Sequence, residues 1–475
     1  MSQQNEMDAM TLPYIFRHTR LALAVAAVLA LSACATRIDA TKAQIELPAT
    51  WAEVAPAGLA LQRDWWRGFG SDELSSLIDQ ALAGSPNLII ASERVTQAEI
   101  AARSAGASLF PLLTVSANTG TGSVKPAAVS TGWRKSESSG AALSVDYEVD
   151  VWGRVAAVVS GAQSTLNASR YDLETVRLTL TTGVANAYFQ TLALRVRLKV
   201  AQENLAIAEK LFALVETRYR YGAASGLDVS RQRSTVLAQR SALLPLQVQE
   251  RQTVSALAIL LGRQPQALQV AAQNLDVLSV PEVSPGLPST LITRRPDLAS
   301  VEAQLAAADA NVAAARAALL PTFSLTGAAG ASSTTLLSLG DPTYSIGIAA
   351  SIVQTLFDGN RLRLQVETSE SSRRQLVETY RSTVYTALKE VDDALGNADR
   401  NRAQELAQIE IRKEAQRALQ LSELRYREGS DQLDTLLDAQ RTLFAAEDQL
   451  AQLRQQRLTG TTDVFKALGG GWNKP

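Results

Sequence analysis

The sequence predicts a mixed α and β fold that is internally duplicated. Its strands complete a twelve-stranded transmembrane β-barrel only when three copies combine, and the barrel continues into twelve strokes of α-helix. Three observations predict this: ordered landmarks that recur about two hundred residues apart, two pairs of alternating strands, and helical stretches longer than a globular domain uses.

The duplication comes first because every element is read through it. Ser85-Pro86-Asn87-Leu88 matches Arg295-Pro296-Asp297-Leu298, and Phe110-Pro111 matches Leu320-Pro321 at the same offset of 210 residues. Between these marks both copies carry one apolar stripe with alternating spacings of three and four. It runs Leu88, Ala91, Val95, Ala98, Ala102, Ala105, Leu109 in the first copy and Leu298, Val301, Leu305, Ala308, Val312, Ala315, Leu319 in the second. That spacing is a knobs-into-holes seam, and its alanines call for close helix approach. Later landmarks repeat at 206–207 residues. Gly153-Arg154 answers Gly359-Asn360-Arg361, Arg218-Tyr219-Arg220-Tyr221-Gly222 answers Arg425-Tyr426-Arg427-Glu428-Gly429, Asp228 answers Asp434, and Gly262 answers Gly469. The repeats span about 70–270 and 285–470, each reading helix, two strands, long helix, tight turn, helix.

The strands follow the first helix of each copy. Leu113, Val115 and Ala117 alternate with Thr114, Ser116 and Asn118; Leu143, Val145, Tyr147 and Val149 alternate with Ser144, Asp146, Glu148 and Asp150. In the second copy Phe323 and Leu325 alternate with Ser324 and Thr326, and Tyr344, Ile346, Ile348 and Ala350 with Ser345, Gly347, Ala349 and Ser351. Period two with one apolar face fits a membrane barrel strand of about ten residues, although the patterning alone favours a soluble hairpin with one wet face. Loops are expected at 121–139 and 331–342, where Gly, Ser, Thr and Pro gather.

The helices weigh against the soluble hairpin. From Arg154 to Arg218 helix-compatible residues run without proline and with only Gly161 and Gly183 inside, roughly 100 Å of helix. A tube or coiled coil uses such a length. Pro245 is expected to kink the helix that follows. Four strands cannot close a barrel, so their open edges are expected to pair with other copies.

The N-terminus reads as a processed segment, with 1–33 as a lipoprotein signal peptide and 34–475 as a single channel domain. Arg17, His18 and Arg20 precede the apolar run Leu21 to Ala33, too short to span a bilayer, which ends Leu31-Ser32-Ala33-Cys34. Cys34, the single cysteine of the chain, is the expected lipid attachment site. With His18 removed the mature chain has no histidine, which excludes a Ser-His-Asp hydrolase and a His-ligated metal centre. Lys and Arg total 46 against 47 Asp and Glu, a balance that argues against a nucleic-acid partner. Aromatics are only 5%, which suits thin helical packing better than a thick core. No carboxylate pair stands beside a binding motif, and Gly469-Gly470-Gly471 lacks the Lys-Ser/Thr of a phosphate loop, so we expect a tail there, no enzyme and no cofactor.

Tyr147-Glu148-Val149-Asp150-Val151-Trp152-Gly153-Arg154, Arg294-Arg295-Pro296-Asp297-Leu298, Leu356-Phe357-Asp358-Gly359 and Leu436-Leu437-Asp438-Ala439-Gln440-Arg441 together resemble the TolC-like outer-membrane efflux family. The resemblance is to its lipoprotein branch serving resistance-nodulation-division pumps (NodT-type), and it covers about Trp65 to Leu468. It implies a homotrimer with a β-barrel in the outer membrane and an α-helical tunnel crossing the periplasm. The implied partners are outer-membrane lipid, a periplasmic adaptor (membrane fusion) protein and an inner-membrane resistance-nodulation-division transporter. The implied function is a passive exit duct for drugs or other small molecules, with a duct for type I protein secretion as the alternative. It also implies a gate latch in which Tyr426 donates to Asp228, and a pore constriction at Asp438, joined here by Asp434 one turn away. Read from spacing alone, Asp431, Asp434 and Asp438 share one helix face and also suit helix-start chemistry, with Asp431 as N-cap.

Overall fold

The computed structural model describes residues 45–52, 61–125, 132–282 and 286–474; the signal segment and Cys34 lie outside them. A short 3-10 turn (Trp65–Phe69) leads into α1 (Asp72–Gly84). The first copy then runs α2 (Pro86–Ala107), β1 (Leu112–Val124), β2 (Arg134–Val149), α3 (Arg154–Arg220) and α4 (Gly226–Leu260). After a connector and the helical turn Leu291–Arg294, the second copy repeats the order as α5 (Pro296–Ala317), β3 (Thr322–Ser333), β4 (Thr343–Val353), α6 (Arg361–Arg427) and α7 (Leu433–Ala467). The two long helices have 67 residues each and the two return helices 35 each, so the duplication is preserved in lengths as well as in order. α4 continues through Pro245.

The chain divides into two compact units, each built from both copies. The first contains 96–168 and 301–379. At its heart is one antiparallel sheet in the order β1-β2-β3-β4, with β1 and β4 at the edges. The strands are 13, 16, 12 and 11 residues long, so the first two extend well into the expected 121–139 loop and shorten it. The register aligns one apolar face across all four strands. Val115 lies opposite Leu143, Val145 opposite Gly327, Leu325 opposite Ala350, and Phe323 opposite Ile352. On the other face hydroxyls pair across strands, Thr114 with Ser144 at 2.6 Å and Ser324 with Ser351 at 2.8 Å. The apolar face is uncovered, and Ile346 and Ile348 are more than four-fifths exposed. Trp152 donates its indole N–H to the Pro321 carbonyl at 2.8 Å, stitching the end of β2 to the start of β3.

Within the same unit the two copies of the seam helix differ. On α5, Leu305, Ala308 and Val312 are buried, and a Cβ on Gly161 of α3 would already touch Asn311 and Ala310. On α2, Ala98, Ala102 and Ala105 stay partly open and Ile100 is more than half exposed.

The second unit contains 44–95, 169–300 and 380–475. It holds a true aromatic core despite the low aromatic content: Trp65, Trp66, Phe69, Tyr188, Phe189 and Phe465 are all buried, with Trp65 stacked on Phe465 at 4.9 Å. The connector between copies is clamped from both sides. Glu73 accepts from the backbone N–H of Ala271 and Ala272 and from the Tyr188 hydroxyl, while Arg195 donates to the carbonyls of Val270 and Ala272 and to Glu250. Burial pushes the Tyr188 phenol up to about 12, so it stays a donor. Gly469 and Gly470, expected as a loose tail, are buried in this core. Both adopt positive φ where α7 ends against Arg294 and Leu178.

Candidate functional site

The long helices reverse at two turns, and the sequence explains each closure. In the first, Gly222 at φ 75° lets its N–H reach the Tyr219 carbonyl at 3.0 Å and that of Ala223 reach Arg218 at 2.8 Å. In the second, Gly429 at φ 76° places its own N–H on Tyr426 at 3.1 Å and that of Ser430 on Arg425 at 3.0 Å. A left-handed residue at this position costs glycine little and other residues more, so each arm of the duplication ends in the same glycine-closed cap.

The return helices start differently. α4 opens on a capping box: the Asp228 N–H reaches Ser225 Oγ at 3.2 Å, and the Asp228 carboxylate accepts from the Ser225 N–H at 2.8 Å and hydroxyl at 2.9 Å. α7 opens at Gln432, which makes no side-chain cap. Asp431 stands one residue before that position, so it is not the expected N-cap; its carboxylate accepts from the Gln432 N–H at 3.1 Å and pairs with Arg425 at 3.5 Å.

Two arginines of the first arm reach the second. Arg218 lies over the Tyr426 ring at 4.5 Å and donates to the Tyr426 backbone carbonyl. Arg231 pairs with Asp434 at 2.6 Å. Tyr426 is buried in an apolar cluster with Leu211, Val215, Leu419, Leu433, Leu436 and Leu437. Burial, reinforced by the nearby Asp228 carboxylate and opposed by Arg218, raises its phenol above the usual range. Asp434 and Asp438 are both exposed, whereas Leu433, Leu436, Leu437 and Gln440 are buried, so the two aspartates share the face of α7 turned away from its seam. Asp438 has Arg441 one turn on, at 3.4 Å.

Sequence reasoning singled out Tyr426, Asp228, Asp434 and Asp438 but missed Arg218 and Arg231. A signal was present. The first turn region carries Arg218, Arg220, Arg231 and Arg233 against Asp228, and the second carries Glu428, Asp431, Asp434 and Asp438 against Arg425 and Arg427, so the two differ in the sign of their charge surplus. Copies of opposite charge are built to face one another.

The chain is 39% identical over 457 residues to a pyoverdine export outer membrane protein, OpmQ, of Pseudomonas aeruginosa, covering 94% of this chain and 96% of that one. It is 32% identical to outer membrane protein OprJ of the same organism, covering 94% and 95%. Among solved structures it superposes on the outer-membrane channel OprN with a TM-score of 0.85 and 26% identity, covering 92% of this chain and all of that one. The sequence model of the family described as outer membrane efflux protein matches residues 77–263 and 287–470, one match per copy. With its duplicated helix–hairpin–helix order and its two glycine-closed reversals, the chain belongs to the outer membrane efflux protein family.

Proposed function

We propose that the protein is the outer-membrane exit duct of a tripartite efflux system, a homotrimer that passively exports small molecules handed to it by a periplasmic adaptor and an inner-membrane resistance-nodulation-division transporter. The observation that carries this reading is the four-stranded sheet with one continuous apolar face, one hydroxyl-lined face and two open edges. In lipid every backbone group must be paired, so β1 of one copy pairs with β4 of the next until twelve strands close. The open seam of α2 supports the same assembly. Leu305, Ala308 and Val312 of its twin α5 are buried within the chain, whereas Ala98, Ala102 and Ala105 of α2 are only half-buried, so α2 completes its cover against a neighbouring copy. The test is a heat-modifiable oligomer in outer-membrane fractions that conducts in planar bilayers; a soluble monomer overturns the reading.

The cargo reading follows from relatives named for pyoverdine export, which support a small-molecule cargo for this chain. Deletion of the gene in its host should lower secreted pyoverdine or a like small molecule and raise antibiotic sensitivity. Loss of a secreted protein instead would favour type I secretion.

Residues 1–33 act as the signal peptide and Cys34 as the lipid attachment site in this proposal. Cys34→Ser slows targeting while some trimer still inserts through its barrel; complete loss of folded trimer counts against this.

At the periplasmic end, Tyr426 and Asp228 serve as the gate latch, and three copies of Asp438 and Asp434 line the constriction. Repulsion among clustered carboxylates favours cations in the mouth. Asp434→Ala with Asp438→Ala weakens cation preference and block by multivalent metal ions. Selectivity that survives the double substitution places the constriction elsewhere.

A further inference from the structure

The apolar face of the sheet ends in a row of hydroxyls. Thr119, Ser139 and Ser333 lie opposite one another on β1, β2 and β3. Each is an even number of residues from Val115, Leu143 or Leu325, so all three share the face of those apolar side chains. The loop between β3 and β4, residues 334–342, folds down onto this row. The Leu337 N–H reaches Thr119 Oγ1 at 3.2 Å, Ser139 donates its hydroxyl to the Thr335 carbonyl at 2.7 Å, and Ser333 donates to the Gly340 carbonyl at 2.8 Å. The Glu137 carboxylate, on the same face of β2, takes a backbone hydrogen bond from Leu336. Ser139 and Ser333 are buried beneath the loop, whereas Leu143 and Leu325 further along the same face are exposed.

The loop thus turns its polar bonds inward and its apolar side chains outward. Leu337 is 80% exposed, and Leu336 and Leu339 are exposed as well. In water the opposite arrangement is favoured, since hydroxyls hydrate freely and clustered leucines withdraw. In lipid, hydroxyls must find partners within the protein and leucines face a medium like themselves. Leu337 also holds a left-handed φ of 54°, which a leucine adopts only where its surroundings hold it there.

The level of the loop fits the same solvent. The row directly beneath the hydroxyls is Ala117, Ala141 and Ala331 beside Tyr344, so the strands offer little apolar bulk there. At roughly 3.3 Å per residue and about 40° of tilt, the outward face of β3 from Phe323 to Ala331 rises ~20 Å, short of the ~25 Å apolar band of a transmembrane barrel. The leucines extend that band at its rim. A neighbouring copy joins the sheet edge-on, in the plane of the strands, and the loop is fixed chiefly to β2, an inner strand, so that copy does not cover it.

We propose that the 334–342 loop lies in the membrane, with Leu336, Leu337 and Leu339 seated among the acyl chains of outer-leaflet lipid around the duct. The inference rests on the duct reading above and adds to it a lipid-contact site on a loop that lies outside the bore instead of across it.

The test uses the full-length trimer reconstituted in vesicles of phosphatidylethanolamine and phosphatidylglycerol. A photoreactive benzoylphenylalanine takes the place of Leu337 in one variant, of Ile348 on the apolar face of β4 in a second, and of Ser345 on the hydroxyl face in a third. On illumination the Leu337 variant should gain the mass of one phospholipid, as the Ile348 variant does, and the Ser345 variant should not. A covalent dimer of protein chains from position 337 would set the loop against a neighbouring copy and overturn the proposal. No adduct at 337 beside a lipid adduct at 348 would put the loop in water and overturn it as well. No lipid adduct at 348 would sink the duct reading and the proposal with it, an outcome distinct from any difference between the two positions.

Discussion

The ion pair between Arg231 and Asp434 is short yet adds little to stability. Both side chains are about half exposed or more, and such pairs contribute ~0–1 kcal/mol. Arg231→Ala should therefore leave the melting temperature nearly unchanged. By freeing the Asp434 carboxylate it should raise the cation preference of the channel, and bilayer reversal potentials at asymmetric salt would measure it. Tyr426→Phe is a different case, since its ring stays under Arg218 and in the apolar cluster while the phenolic donor is lost. Leakage of large antibiotics should rise with little change in melting temperature. Glu447 on α7 is titratable in another sense. Burial raises its carboxyl, the facing Glu203 of α3 adds to this, and Arg412 of α6 opposes it. A carboxyl raised in the folded state takes up a proton more readily than in the unfolded chain. Its charged form weakens the fold, and that loss sets in as pH climbs from the ordinary carboxylate range through the raised value. Glu447→Gln should therefore raise the melting temperature at neutral pH, with the gain vanishing as pH falls toward the ordinary carboxylate range. A gain that persists at low pH would contradict the assignment.

At the scale of elements, the two copies reuse one joint. Where α4 ends, a Cβ on Gly262 would stand 2.1 Å from the Gly84 carbonyl; where α7 ends, one on Gly469 would stand 1.9 Å from the Arg294 carbonyl. Gly84 and Arg294 occupy matching places just before Ser85-Pro86 and Arg295-Pro296, so the end of each return helix is pressed onto the start of its own copy's seam helix. Alanine at either site combines positive φ with collision against backbone, together ~2–4 kcal/mol. Gly262→Ala and Gly469→Ala should each lower the yield of folded trimer sharply. Gly347→Ala, in β4 with nothing within 4 Å, should be tolerated, and a melting series of the three would check the contrast.

At the scale of the whole molecule, the two copies are unequal in how far they bury their seam helix. A stripe of the same spacing has Leu305, Ala308 and Val312 buried on α5, while Ala98, Ala102 and Ala105 at the matching places on α2 are half-buried. Ala102→Arg, on the open stripe, should leave the monomer fold intact but block trimer formation. Analytical ultracentrifugation in detergent, with circular dichroism showing unchanged helix content, would test this. Arginine at the matching Val312 should instead disrupt the monomer, because that site is already buried within the chain.

Periodicity is a local property, and it was enough to identify the elements. The three-four stripe, the two-residue alternation and the proline-free runs each record which neighbours along the chain face the same way, and the structure reproduces their order in both copies. The 206–210-residue offsets likewise foretold the paired reversals. Other features depend on which distant segments meet. Arg218 over Tyr426 and Arg231 on Asp434 each join residues more than two hundred positions apart. Arg231 carries no motif of its own, and only the packing of α4 against α7 brings it to an aspartate. The glycine triplet at 469–471 read as a tail because no Lys-Ser/Thr follows it as a phosphate loop requires, yet Gly469 and Gly471 lie where other backbone passes within contact distance and Gly470 lies against the Leu178 side chain. The sequence by itself determined the elements, their duplication and the need for open edges to find partners. Only the tertiary structure decided which copy keeps its seam covered and which charges are shared, because burial and ion pairing belong to surfaces that exist only once the chain has packed.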